Sequence, residues 1–208
     1  MFLKSARAGQ TTQAINNKIG QLIKSESFIE ATGGTITEDG DYKIHSFTSS
    51  GDFEVTSGSG DVEYMVVAAG GGAGNGISSY SGRAGGGAGA GGYRVDTNFT
   101  VDVQTYTVTI GAGGNGATTS SNATNGQNSV FGSITSLGGG FGSSTGAGGQ
   151  EPAGNGGSGG GDSGSNTLAT GTVGQGNNGG VGSGSGTGRG GCGGGGASSV
   201  GQSRSAGE

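Results

Sequence analysis

YMVVAAGGGAGNG, residues 64–76, begins as a strand and becomes glycine without any intervening turn signal. Tyr64 and Val66 share one face of an extended chain and Met65 and Val67 the other, so both faces of this run are expected to be covered. The same transition recurs at residues 105–116, TYTVTIGAGGNG, where Tyr106, Val108 and Ile110 alternate with threonines before the glycines start. A return path follows the first tract: GGGAGAGGYRV, residues 85–95, leads from glycine back into a strand. Glycine- and serine-rich chain without aromatic residues ordinarily behaves as a flexible linker. A linker has no need to leave one strand and re-enter another of the same sheet, so the tracts are expected to be packed structure. Collagen is excluded by the single proline, Pro152, because the triple helix needs abundant proline with glycine at every third position. What remains is a bundle of extended threefold helices of the polyproline II type, with glycine allowing backbones close enough to hydrogen-bond to one another.

Local spacing supports that reading. In GNGGSGGGD, residues 154–162, Gly154, Gly157 and Gly160 fall in one register of three and Gly156 and Gly159 in the next, leaving Asn155 or Ser158 as the free position. Gly171, Gly174 and Gly180 repeat the spacing with Asn177 interrupting, whereas residues 182–190 alternate with a period of two. Packing is therefore expected over residues 70–180, and the chain beyond Cys192 is expected to loosen.

Outside the tracts the pattern is β. GTITEDGDYKIHSF, residues 34–47, carries Asp39-Gly40 between two strand-like runs, a hairpin signal. SSGDFEV, DVEYMVV, YRVDTNFTV, TYTVTI and SVFGSITSL bring the expected count to seven or eight strands. Short strands with turn residues between them and no intervening helix predict a mainly β fold, an antiparallel β-sandwich or jelly roll. Residues 11–30 are the exception. Ile15, Ile19, Leu22 and Ile29 form a narrow helical stripe suited to docking or oligomerisation, because a single stripe on one helix finds no second helix in this chain. The expected organisation is an N-terminal helical segment at 1–32, a glycine-rich sandwich at 33–196 and a flexible tail at 197–208.

Composition limits the function. Of 208 residues only 28% are apolar and 11% charged, and eight of the 57 glycines precede residue 70. A net charge of −5 with no basic stripe argues against nucleic acid as a partner. The N-terminus has basic residues without the apolar run of a signal peptide, and no segment approaches the roughly 20 apolar residues of a membrane-spanning helix. Cys192 stands alone, which excludes an internal disulfide, and its expected role is a small residue in a glycine tract. His45 is the sole histidine and is read as a sheet-face residue; no acid–base constellation accompanies it, so no enzymatic role and no cofactor are expected. Asp61 and Asp162 lack calcium-loop spacing, and no lysine follows a glycine loop as phosphate binding would require. The sequons at Asn98 and Asn122 are read as chance.

Binding is the remaining class. On a glycine scaffold the few bulky side chains at loop tips are the ones presented. Ile77, Tyr80 and Arg83 stand out in ISSYSGR, Glu151 in GQEP, and Asn166, Leu168 and Val173 in SNTLATGTV. These are the candidate binding residues.

Taken in order, the blocks GDYKIHSFTSSGDFEV, VEYMVVAAGGGAG, GGAGAGGY, TYTVTIGAGGNG and NSVFGSITSLGGG resemble the glycine-rich domain common in bacteriophage tail-fibre and other virion proteins, over residues 33 to about 196. A more distant likeness is to the glycine-rich ectodomain of anaplastic lymphoma kinase-type receptors, where a TNF-like sandwich carries polyglycine II helices. The resemblance implies a virion (tail) component, with other virion proteins as partners, a host-cell receptor as ligand and a trimeric fibre-like assembly. The alternative is a purely structural capsid or tail decoration protein.

Overall fold

The structure is a computed structural model that describes residues 1–6, 28–76, 84–119, 121–146, 149–182 and 190–204. Its elements are all strands: β1 (Phe2–Ala6), β2 (Glu30–Thr32), β3 (Thr35–Asp39), β4 (Tyr42–Ser46), β5 (Gly51–Ser57), β6 (Gly60–Val67), β7 (Tyr93–Val101), β8 (Thr105–Thr109), β9 (Ser129–Phe131), β10 (Ile134–Ser136), β11 (Ser144–Gly146) and β12 (Gly149–Glu151). One five-stranded sheet has the order β3-β4-β1-β6-β7, a second has β10-β9-β8-β5-β2, and β11 pairs with β12. The chain divides into two compact units, residues 1–65 with 95–107 and residues 66–94 with 108–208.

The first unit is a sandwich. At its centre β1 lies antiparallel between β4 and β6, with Leu3 opposite both His45 and Tyr64. All three are buried, so one row across the sheet faces inward. Phe53 and Val55 of β5 and Tyr106 of β8 face it from the second sheet. Ring contacts bridge the two: His45 stands edge-on to Phe53 at 5.0 Å, Phe53 lies 6.3 Å from Tyr106, and Phe99 contacts both Tyr106 and Tyr64. Offset and edge-on rings of this kind fill the interior between two packed sheets. The Tyr106 hydroxyl is served by the Asp102 amide and the Gln104 side chain, each at 2.8 Å, so its polar end is satisfied at the rim.

Several expectations change here. β1 was not anticipated, and with β2 it places parts of residues 1–32 inside the two sheets. The expected helix at 11–30 lies outside the described residues as far as 27. Phe28 and Ile29 are not helical and Glu30 opens β2. The β3–β4 hairpin is present, one residue later than expected: Asp39 pairs with Tyr42, and Gly40 at φ +58° is the first of two loop residues. Positive φ at that position alone is the pattern of a type II′ turn. In β6, Val62, Tyr64 and Val66 are buried, but Met65 is only half-buried and Val67 is exposed, so one face meets solvent. SVFGSITSL, taken as one strand, is the hairpin β9–β10 turning at Gly132 (φ +53°).

The second unit is held by backbone hydrogen bonds with a period of three. Ala68, Gly71 and Gly74 donate to Gly92, Gly89 and Gly86 at 2.9–3.0 Å. The intervening Ala69 and Gly72 donate to Gln127 and Thr124, and accept from Gly139 and Gly142. The segment 86–92 behaves likewise: Gly86, Gly89 and Gly92 donate to Ser143, Gly140 and Leu137, while Gly87 and Ala90 donate to Cys192 and Gly195. Ser158 and Gly161 donate to Ala90 and Gly87, and Gly159 and Asp162 to Asn177 and Gly180. A strand bonds to two neighbours in one plane; these segments bond to neighbours on several sides, in steps of three, with both parallel and antiparallel partners. None of the glycines in these segments takes a positive φ, a sign that polyproline II backbone shares.

Glycine is required here for volume. A Cβ on Gly86 would overlap the Gly161 carbonyl, one on Gly142 the Gly86 carbonyl, and one on Gly160 the Phe141 carbonyl. Within the lattice, the buried side chains are small, as at Ser143, Ser158, Ala169 and Cys192, with Asp162 closing the segment 156–162. Ser158, expected as a free position, is buried, whereas Asn155 is exposed. Gly174, expected to continue a register of three, is a turn residue at φ +78°. The segment past residue 197 is bonded as far as Arg204: Gly193 donates to Gln202, Gly201 to Asn178 and Arg204 to Val181.

Candidate functional site

The lattice segment 156–162 ends in Asp162, whose side chain turns the chain outward. Its amide donates to the Gly180 carbonyl at 2.9 Å and its carbonyl accepts from Cys192 at 2.8 Å, which fixes the backbone on both sides. The buried carboxylate then gathers the amides of Gly164, Ser165 and Asn166 at 3.0, 3.1 and 2.8 Å, together with the Ser165 hydroxyl. Burial alone would push this carboxyl up. The hydrogen bonds from Ser165, then those from the Gly164 and Asn166 amides, outweigh it and hold the group below its ordinary value. Asn166, at φ +57°, is the only non-glycine residue in the left-handed region among the described residues. This strain at the loop is held by the amides the carboxylate collects.

Beyond this anchor the chain exposes Asn166, Thr167 and Leu168 and re-enters the lattice at the buried Ala169, whose carbonyl accepts from Gly179. A second tip follows at once. Thr172 is fixed by its amide to Gly157 and its hydroxyl to Gly156, and its carbonyl accepts from Gln175 at 3.0 Å. With Gly174 at φ +78° this is a type II arrangement that places Val173 at the first central position, 98% exposed. Leu168 is 47% exposed. Two apolar side chains thus stand on short, hydrogen-bonded tips.

Beside the second tip lies a hollow of about 310 Å³ lined by Tyr93, Gly174, Gln175, Gly176, Asn177 and Ala197. Gln175 forms its wall: its side-chain oxygen accepts from the Leu137 amide at 2.8 Å and its carbonyl from the Tyr93 amide at 2.9 Å. The Asn177 side-chain amide donates to the Gly196 and Ala197 carbonyls. In the first unit a second hollow, of about 520 Å³, opens on the outer sheet face and is largely apolar, with Phe2, Ile44, Met65 and Val95 beside Glu63 and Asp96.

Of the residues singled out from sequence, the structure exposes Asn166, Leu168 and Val173 on two successive loop tips. Glu151 is half-buried in β12, opposite Ser144. Ile77, Tyr80 and Arg83 lie outside the described residues, as do Ile15, Ile19 and Leu22. Ile29 is half-buried and lies next to Gly60 in the first unit, on a non-helical stretch. Sequence reading missed Tyr93, Gln175 and Asn177; about 80 residues separate the tyrosine from the amides, and no local pattern joins them.

Cys192 is buried, and burial first of all raises its thiol above the ordinary value, with the Asp162 charge adding to that shift. Among the described residues no group of three His, Cys, Asp or Glu side chains could hold a metal ion.

Among the described residues, the chain is a β protein with a glycine lattice that carries exposed loop tips and an uncharged hollow, and with a larger, mostly apolar hollow in its first unit. The chain belongs to the family described as the glycine-rich domain, which matches residues 48–208. Neither the curated proteins nor the solved structures gave a match.

Proposed function

We propose that this chain is a bacteriophage virion component, part of a tail fibre or tail appendage, whose glycine-rich unit binds a host-cell receptor. One observation carries the reading. The lattice holds apolar tips, Leu168 and Val173, on backbone that is hydrogen-bonded on both flanks, so little ordering entropy remains to oppose binding through them. Exposed apolar side chains on a rigid frame are the usual anchors of recognition. Membership of the glycine-rich domain family and the likeness to phage fibre domains support the virion setting. Residues 11–27 join the chain to other virion proteins or to further copies of itself, in a trimer; light scattering that gave the mass of one chain would remove that assembly.

The direct test is retention of the purified full chain on host cells. With Leu168→Ser and Val173→Ser combined, retention should fall at least tenfold with an unchanged circular dichroism spectrum. Retention unaffected by the pair would overturn the role of these tips, and no retention of the parent chain would leave the decoration-protein reading in its place.

A further inference from the structure

The hollow beside the Val173 turn has a composition that selects its ligand. Its lining residues are a tyrosine, a glutamine, an asparagine, two glycines and an alanine, with no charged side chain among them. An ionic ligand would find no counter-charge there, and burying it against neutral walls would cost more than it returned. A wholly apolar ligand would strip water from the polar atoms those two carboxamides have left, the Gln175 Nε2 and the Asn177 Oδ1, without replacing it. A sugar ring matches both surfaces: its C–H face stacks on an aromatic ring and its hydroxyls exchange hydrogen bonds with carboxamides and backbone.

The site is also built. Tyr93 is 39% exposed, so its side chain is in part accessible to a ligand. Its amide is fixed by the Gln175 carbonyl, and Gln175 is itself fixed through the Leu137 amide. Asn177 spends its two N–H donors on Gly196 and Ala197, which immobilises its side chain against the segment carrying Ala197. A volume of about 310 Å³ lies at the small end of ligand sites and accommodates one or two sugar rings.

We infer that the hollow formed by Tyr93, Gly174, Gln175, Gly176, Asn177 and Ala197 is a binding site for an uncharged saccharide, with Tyr93 as the stacking platform. The inference rests on the receptor-binding reading and names the chemistry of the receptor. Shallow single-ring sites bind weakly, so dissociation constants of about 0.1–1 mM are expected, and affinity for cells comes from several copies acting together.

The experiment presents the full chain to immobilised neutral oligosaccharides of hexoses and N-acetylhexosamines, and to sialylated and uronic-acid oligosaccharides as charged counterparts, with host cells in parallel. Binding to neutral members alone is expected. Tyr93→Ala should weaken it at least tenfold, while Tyr93→Phe keeps it within about threefold because the ring face remains. Should Tyr93→Ala fail to fold, Ala197→Trp serves: Ala197 is exposed, and a large side chain there fills the hollow from outside without touching the lattice. Preference for the charged sugars, or neutral binding unmoved by these variants, overturns the inference. Cells bound without any oligosaccharide bound also overturn it but leave the receptor reading standing; the absence of both ends both.

Discussion

Gly86→Val should abolish the cooperative folding of the unit formed by residues 66–94 and 108–208, whereas Gly113→Ala should leave it intact. The two positions look alike in sequence. At Gly86 an added Cβ would overlap the Gly161 carbonyl and press on the Ser143 amide, both of which are engaged in the lattice. A core side chain can rotate away from an intruder; a backbone carbonyl moves only with its helix, and each helix here is bonded to several others. Overpacking in ordinary cores costs about 1–3 kcal/mol, and this site has no rotamer to relieve it, so a cost above about 3 kcal/mol is expected against a total of about 5–15 kcal/mol. At Gly113 a Cβ meets nothing within 4 Å and φ is not positive, so alanine there should be neutral or add about 0.4–1 kcal/mol by restricting the unfolded chain. Urea titration followed by circular dichroism compares the two. Equal tolerance of both substitutions would mean that glycine is present for flexibility and not for close approach.

Asp162→Ala is the second large effect, with an expected loss of about 2–4 kcal/mol. The substitution leaves three amides of the 164–166 turn without their acceptor, and hydrogen bonds to a charged group are individually worth about 1.5–3 kcal/mol. Asp162→Asn is isosteric but replaces one acceptor oxygen by a donor, which faces amides that themselves donate, and should recover little. The same carboxylate makes the unit acid-sensitive. Its folded pKa lies below the ordinary 3.8, so in that interval the unfolded state binds the extra proton. Its contribution is therefore complete above about pH 4 and is lost as pH falls through the folded value. His45 gives the sandwich unit a separate dependence at higher pH. Its Nδ1–H donates to the Gly33 carbonyl at 2.8 Å, and its Nε2 is buried without a partner. Burial lowers its pKa below 6.5; the Gly33 bond opposes that shift and the Lys43 charge adds to it. The native state is again the one with fewer protons, so stability should decline as pH drops below about 6.5, and His45→Leu should remove that slope while leaving the acid limb of Asp162 unchanged.

How much of this was legible in the sequence depends on which force holds each part. The inward row of β8, Tyr106 and Val108, follows from alternation, because apolar burial selects those side chains; β7 also alternates in sequence, although of its apolar residues Val101 is buried while Tyr93 and Val95 are exposed. β1 does not: FLKSA has no alternating pattern, and its partners β4 and β6 lie about 40 and 60 residues away. The spacing of three in residues 154–162 reveals that a lattice exists, since only glycine tolerates a neighbouring carbonyl at its Cα. It does not reveal which segments neighbour which. The expectation of a flexible tail at 197–208 has the same source. Residues 197–204 carry few apolar side chains, and composition therefore suggests looseness, but Gly201 and Arg204 are held by main-chain bonds that leave no compositional mark. Of the candidate site, Leu168 and Val173 were visible as bulky residues between tracts. The Tyr93 hollow was not, because it is assembled by register across the lattice.

The central claim is that the backbone of the glycine tracts is fixed by hydrogen bonds in steps of three. Residue-resolved amide hydrogen exchange over residues 68–74, 86–92, 137–143, 156–162 and 192–196 tests it most directly. Strong protection is expected at the bonded amides of these segments, such as Gly71, Gly72, Gly89, Ala90, Gly140, Ser158, Gly161 and Gly195, at glycines as much as at alanines and serines, with Gly113 and Val173 exchanging fast as internal controls. Exchange across the tracts at the rate of an unstructured peptide would contradict the account.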